Sequence, residues 1–203
     1  MNGRPLIGKC RTAVLLLAAT ITLPSCVSLG GTAPSSMLTL TATDKVADAT
    51  SKTGMAKDAM IIRVPEVPRT LDTNRVPVQM ASGSVAYLKN SVWTDKPAVL
   101  MQQLFVETIA ARNGILILSE VETAGKAENY LSGQLVEFGI DESGMEAVAT
   151  FDAVRIRKGQ PIEKRRFQAR EAVSRIEPVA AGKALNAIAN KIALDVSSWL
   201  GTP

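Results

Sequence analysis

Leu185, Ile188, Ile192, Val196 and Trp199 recur at spacings of three, four, four and three near the C-terminal end of this 203-residue chain. Wound as an α-helix, they form one apolar stripe on a long rod whose other side is polar. The segment opens at Pro178, runs to Leu200, and is closed by Gly201 and Pro203. A helix with one wet face and one dry face needs an apolar layer to lie on. Whatever precedes this helix has to supply that layer.

The preceding segments read as strands. "NYLSGQLVEFGI" (129–140), "MEAVATFDAVRI" (145–156) and "IEKRRFQAREAV" (162–173) are joined by the turn-like "DESG" and "RKGQP", which predicts an antiparallel meander. Upstream, "WTDKPAVLMQQLFVETIAARNG" carries Leu100, Leu104, Phe105 and Ile109 at helical spacing. Thr94 or Asp95 is placed to cap this helix, Pro97 suits its first turn, and Gly114 suits its left-handed end. "ILILSEV" (115–121) reads as a short buried strand. "AMIIRVPEVP" (59–68) is a β-branched run stopped by prolines, and "RVPVQM" and "SVAYLKN" flank the hairpin turn "ASG". The expectation is an α+β fold: two amphipathic helices packed on one face of a mostly antiparallel sheet, in a single domain over 59–203.

The N-terminal part reads differently. The apolar run from Ala13 to Leu23 is eleven residues long, about half of what a bilayer core of ~30 Å needs. Arg4, Lys9 and Arg11 precede it, and the first acidic residue is Asp44. That is the layout of an export signal, here residues 1–25. Its end, "LPSC", resembles a bacterial lipobox, with Leu23 three places before Cys26 and the small Ser25 directly before it. Removal of residues 1–25 leaves Cys26 as the one cysteine, so acylation there accounts for a thiol that has no disulfide partner in the chain. Two or more fatty chains on that residue make a stable anchor. Residues 26–58 are rich in Ser, Thr, Gly, Ala and Asp and read as the acylated Cys and a flexible tether with an r.m.s. reach of roughly 30 Å. Within it, "MLTLTA" has the rhythm of an edge strand.

Charge and chemistry exclude more than they suggest. Without residues 1–25 the chain has 20 basic and 19 acidic residues, so its net charge of +1 gives no support to a nucleic-acid partner. There is no histidine, which excludes Ser-His-Asp and Cys-His catalysis. Zinc would need His or clustered Cys, and "DESG" lacks the spacing of a calcium loop. "SLGGTA" and "GKAENY" lack the glycine spacing of nucleotide fingerprints. Serines and lysines are plentiful, but none is singled out as an activated pair. The chain therefore reads as a binding or assembly component with no cofactor and no metal. One cluster stands out: Arg155, Arg157, Lys158, Lys164, Arg165, Arg166 and Arg170. It is either a solvated sheet face with charge-guarded edges or a contact surface for an acidic partner or lipid headgroups. The C-terminal stripe reads as core rather than as the wall of a lipid groove.

The order of several segments carries a resemblance. An apolar strand and Pro lead to Leu71-Asp72, then Arg75 and "VPVQ", then "YLKNSVWTDKPAVLMQQ" with Trp93 and Pro97. "YLSGQLVEFGID" follows with Leu131, Gly133, Leu135 and Phe138, and the Ala-rich "AGKALNAIANKIALDVSSWL" closes the series. Over roughly residues 60–200 this resembles the ABC-type transport auxiliary lipoproteins, the PqiC-like proteins that accompany MCE-type lipid transporters. The resemblance implies a non-catalytic, palmitate-bearing lipoprotein of the outer membrane that faces the periplasm. Its implied partners are an MCE-domain protein and the associated ABC permease and ATPase, which move phospholipid or other hydrophobic molecules across the envelope. Val27 after Cys26, in place of the Asp that retains enterobacterial lipoproteins in the inner membrane, agrees with outer-membrane sorting. A homo-oligomer is compatible with this role, as is the assembly lipoprotein of another envelope machine.

Overall fold

The structure, a computed structural model, describes residues 36–201. In chain order its elements are β1 (Ser36–Leu38), β2 (Met60–Ile62), β3 (Pro77–Gln79), β4 (Val85–Tyr87), β5 (Ser91–Trp93), α1 (Pro97–Asn113), β6 (Asn129–Asp141), β7 (Glu146–Arg157), β8 (Glu163–Ala172) and α2 (Pro178–Leu200). The three long strands form the expected meander, and the main sheet runs β4-β3-β6-β7-β8. β2 and β3 both lie parallel along the same edge of β6, Ile62 opposite Leu131 and Val78 opposite Ile140. Between them the chain touches β6 once more, where Glu66 N–H donates to Gly133 and Leu135 N–H donates to Glu66. Pro65, Pro68 and Pro77 lack the N–H that a continuous ladder would need, so one potential strand is broken into short pieces. The sheet is therefore mixed, although its long ladders are antiparallel.

β6 carries a bulge at Val136, between Leu135 and Glu137. The extra residue shifts the side-chain alternation, so Leu131 and Leu135 are buried, and Phe138 and Ile140 keep the same face three and five residues later. Gly133 is required here. A Cβ at this position would lie 2.1 Å from the Asp152 carbonyl oxygen, and its φ is +150°.

Both helices cover this inner face. Phe105 of α1 meets Phe151 of β7 at 4.9 Å between ring centroids, and Trp199 of α2 meets Phe167 of β8 at 5.8 Å. Trp93 stacks on Phe138 at 5.4 Å. Buried aromatic side chains of this kind each contribute roughly 1.5–3 kcal/mol. The whole predicted stripe of α2 is buried, as are Leu100, Leu104, Phe105 and Ile109 of α1.

Three expectations need correction. Residues 115–121 are not a strand: Ile117 makes only an isolated bridge to Met60, and residues 119–121 are exposed. The prolines after Ile62 leave β2 too short to template a second partner. The cap of α1 is Lys96, with no side-chain cap bond. Thr94 N–H is instead tied to Leu38, and the Asp95 carboxylate accepts the Lys96 N–H.

The third correction concerns the tether reading: "MLTLTA" does dock at its start as a short strand, β1, and the residues that follow it up to 58 are not free of the domain either. β1 pairs in parallel with β5, and the following residues form a strap along the two helices. Thr41 N–H donates to Asn186 Oδ1 at 2.8 Å, and Thr43 N–H to Asn190 Oδ1 at 2.7 Å. Asn190 Nδ2 donates back to the Thr41 carbonyl. Val46 N–H reaches Glu107, Asp44 pairs with Arg112, and Lys52 Nζ donates to the Ala110 carbonyl. Polar composition suggested a tether, but helix side chains satisfy this backbone.

Candidate interaction surfaces

The seven basic residues of the meander divide by strand parity. Odd-numbered positions of β7 and β8 share the helix side with Phe151, Ala153 and Phe167, and even-numbered positions take the opposite face. Arg155 is consequently buried, with its guanidinium donating to the Trp199 and Leu200 carbonyls at 3.4 and 3.1 Å. It satisfies the otherwise orphaned carbonyl end of α2, and burial lowers its pKa from the ordinary value. This residue cannot serve as an exposed contact, which corrects the expectation for it. Arg157, on the same side, pairs with Glu163 at 2.7 Å.

On the helix-free face, Asp152 is the hub. Arg166 grips it with two parallel bonds, 2.6 Å from Nε and 2.8 Å from Nη2, and Lys164 lies 3.8 Å away. The Arg166 hydrogen bonds hold the Asp152 carboxyl below the usual carboxylate range, against the opposing effect of burial. Arg170 pairs with Glu146 at 3.1 Å. Lys158, beyond the end of β7, pairs with Glu128. Arg165 differs from all of these: it is exposed, its guanidinium lies 5.2 Å from the Phe167 ring centroid, and it joins no ion pair among the described residues. The cluster is thus a mostly neutralised face plus one guanidinium at the sheet edge that has no carboxylate partner among the described residues. Cys26 lies outside the described residues.

Two further features had no place in the sequence reading. A groove of about 300 Å³ at the β3–β4 end is lined by Leu71, Gln79, Glu137, Phe138, Ile140 and Val148 among others. The strap anchors Asn186, Asn190 and Glu107 are the other. Asn190 offered a signal, a polar residue only two places from Ile188 and from Ile192 within the apolar stripe, and it is 6% exposed. No helix among the described residues is long and apolar enough to cross a membrane.

These observations define a two-helix-on-sheet α+β domain with an N-terminal strap and a charge-balanced outer sheet face. Solved structures share that fold. A crystal structure of a protein from Xanthomonas campestris superposes with a TM-score of 0.65 at 13% identity, covering 81% of this chain and 94% of that one. A crystal structure of an uncharacterized protein gives a TM-score of 0.58, also at 13% identity, over 81% of this chain and 97% of that one. No curated protein sequence matches the chain. The family model for the ABC-type transport auxiliary lipoprotein component matches residues 39–196. The chain belongs to that family, and the match begins inside the strap, where the ordered contacts to α1 and α2 begin.

Proposed function

We propose that this protein is a non-catalytic docking component of an MCE-type ABC transporter, acylated at Cys26, anchored in the outer membrane and facing the periplasm. The transported material is phospholipid or another hydrophobic molecule. The observation that carries this reading is the family match over 39–196, joined to the lipobox that ends at Cys26. The strap supports it physically. With Ser36 docked, only nine residues separate the lipid-bearing position from the folded domain, and covalent geometry limits the distance from Cys26 to Ser36 to about 35 Å. A domain held that closely works at the membrane surface.

The test is affinity purification of the intact, acylated protein from its own envelope after gentle solubilisation. Recovery of an MCE protein with its permease and ATPase is the expected result, and the genes beside its own should encode the same three. Recovery of a different envelope machine, with a locus lacking all three, overturns the transporter assignment.

A further inference from the structure

Leu38, Thr41 and Thr43 meet α2 at Gly182, Asn186 and Asn190 in turn, so the strap climbs that helix from its N-terminal end. Ser36, the first described residue, therefore lies beside the start of α2, where its N–H donates to the Asn90 carbonyl at 3.2 Å. Two large apolar side chains stand in solvent around this point. Met37 points away from the buried Leu38 by strand alternation and is 64% exposed. Val179 lies three residues before Gly182, on the helix face that the strap covers further along, and is 84% exposed. Lys89, next to Asn90, and Lys183, next to Gly182, are both exposed and join no ion pair among the described residues. The nearby acids are engaged. Glu177 faces Arg175 at 3.9 Å, Asp72 faces Lys96 at 2.7 Å, and the Asp95 carboxylate accepts the Lys96 N–H. Apolar side chains flanked by lysines are the composition of an interfacial membrane contact.

Exposed apolar residues alone do not single out this corner, because Ile162 is 68% exposed at the far end of α2. Ile162 precedes Glu163, whose ladder partner Arg155 binds the Leu200 carbonyl. Covalent geometry separates the two ends. The link from Cys26 to Ser36 reaches about 35 Å at full extension, and the 23 residues of α2 are about 34 Å long. For the Ile162 end to face a bilayer that holds Cys26, the link would have to run the length of the helix fully drawn out. A folded partner about 30 Å across fits between the corner and the bilayer only under the same tension. The lipid surface itself is the occupant that the link brings to this corner.

We propose that this corner rests on the bilayer that anchors the protein, with Met37 and Val179 as its apolar contacts and Lys89 and Lys183 on lipid phosphates. The contact presupposes the acylation at Cys26 proposed above, and it fixes which end of the domain meets the lipid. The end of α2 that carries Leu200 then points away from the membrane.

The test uses the full-length acylated lipoprotein, purified from its own envelope and reconstituted into vesicles of phosphatidylethanolamine and phosphatidylglycerol. A bimane fluorophore is attached at Val179→Cys, or at Ile162→Cys as control, and the vesicles contain phospholipid with a nitroxide quencher near the headgroup. Quenching at position 179 should be at least threefold stronger than at position 162. Reversal of both lysines, Lys89→Glu with Lys183→Glu, should remove that difference while the protein stays with the vesicles through its lipid. Because both lysines are exposed, the reversed variant should melt like the parent, which separates loss of contact from loss of folding. Flotation of the vesicles is read separately. A protein that does not float refutes the anchor at Cys26 and the corner contact with it, whereas one that floats with equal quenching at the two positions overturns the corner contact alone. A difference indifferent to the lysine reversals also overturns it. Shielding of position 179 that grows with protein density at constant lipid marks a second copy there and overturns it as well.

Discussion

Asn190→Ala should release the strap while leaving the domain folded. The Asn190 side chain accepts the Thr43 N–H at 2.7 Å and donates to the Thr41 carbonyl at 2.9 Å, in a site that is 6% exposed. Each of these bonds is worth about 1 kcal/mol net, so the strap loses about 2 kcal/mol of docking free energy. At about 1.4 kcal/mol per decade, local opening rises roughly 30-fold. The third bond, to the Asn186 carbonyl one helical turn back, lies within α2. Ala is also the better helix former there, by roughly 0.5 kcal/mol, so α2 itself should hold. Hydrogen–deuterium exchange read by mass spectrometry on a peptide spanning residues 38–48 is the assay, with peptides from β6 and β7 as reference. Faster exchange should be confined to the strap. Unchanged protection over 39–47 would refute the anchoring role, and uniform acceleration across the sheet would show that Asn190 stabilises the whole core instead.

Gly133→Ala forces a methyl group to within 2.1 Å of the Asp152 carbonyl oxygen and should destabilise the protein by on the order of 3 kcal/mol. A urea midpoint that moves by less than a third of that would contradict the close approach of β6 and β7. Asp152, Asp141 and Glu122 all have folded-state pKa values below their ordinary ones, the first through Arg166 and the others through hydrogen bonds from Ser143 and Ser119. Their stabilisation is complete above the unfolded-state values, 3.8 for Asp and 4.5 for Glu. It is lost as pH falls through the lower folded-state values. Melting curves should therefore fall steeply below about pH 4, and Asp152→Asn should flatten that acid limb; a variant with the parent's acid profile would contradict the assigned role of Asp152. Cys26→Ser should leave the circular dichroism spectrum unchanged but abolish metabolic palmitate incorporation and membrane retention, and persistent labelling would refute Cys26 as the acylated residue.

How much of this was legible in the sequence differs by element. Both helices and the three long strands follow from periodicity. The 3-4-4-3 stripe of α2 and the Pro97–Gly114 bracket of α1 are local signals that tertiary packing only confirmed. β1 to β5 span three residues each, too few to show any period, and their partners lie far away in the chain. Residues 115–121 look like a strand because they are apolar. Nothing local to them reveals that β2 is too short to pair along their length.

The sequence by itself determined the helix-on-sheet architecture, the family and the expectation of a lipid at Cys26. Each rests on residue order along the chain, which period, caps and motifs record directly. Only the tertiary structure decided the meaning of the charges and of the polar N-terminal segment. A run of basic residues on paired strands alternates between two faces, so Arg155 is buried under α2, Arg166 is neutralised by Asp152, and Arg165 is left at the edge. A stretch of Ser, Thr and Asp is equally suited to solvent or to hydrogen-bonding partners. Asn186 and Asn190, more than 140 positions further along the chain, supply those partners once the helices are packed.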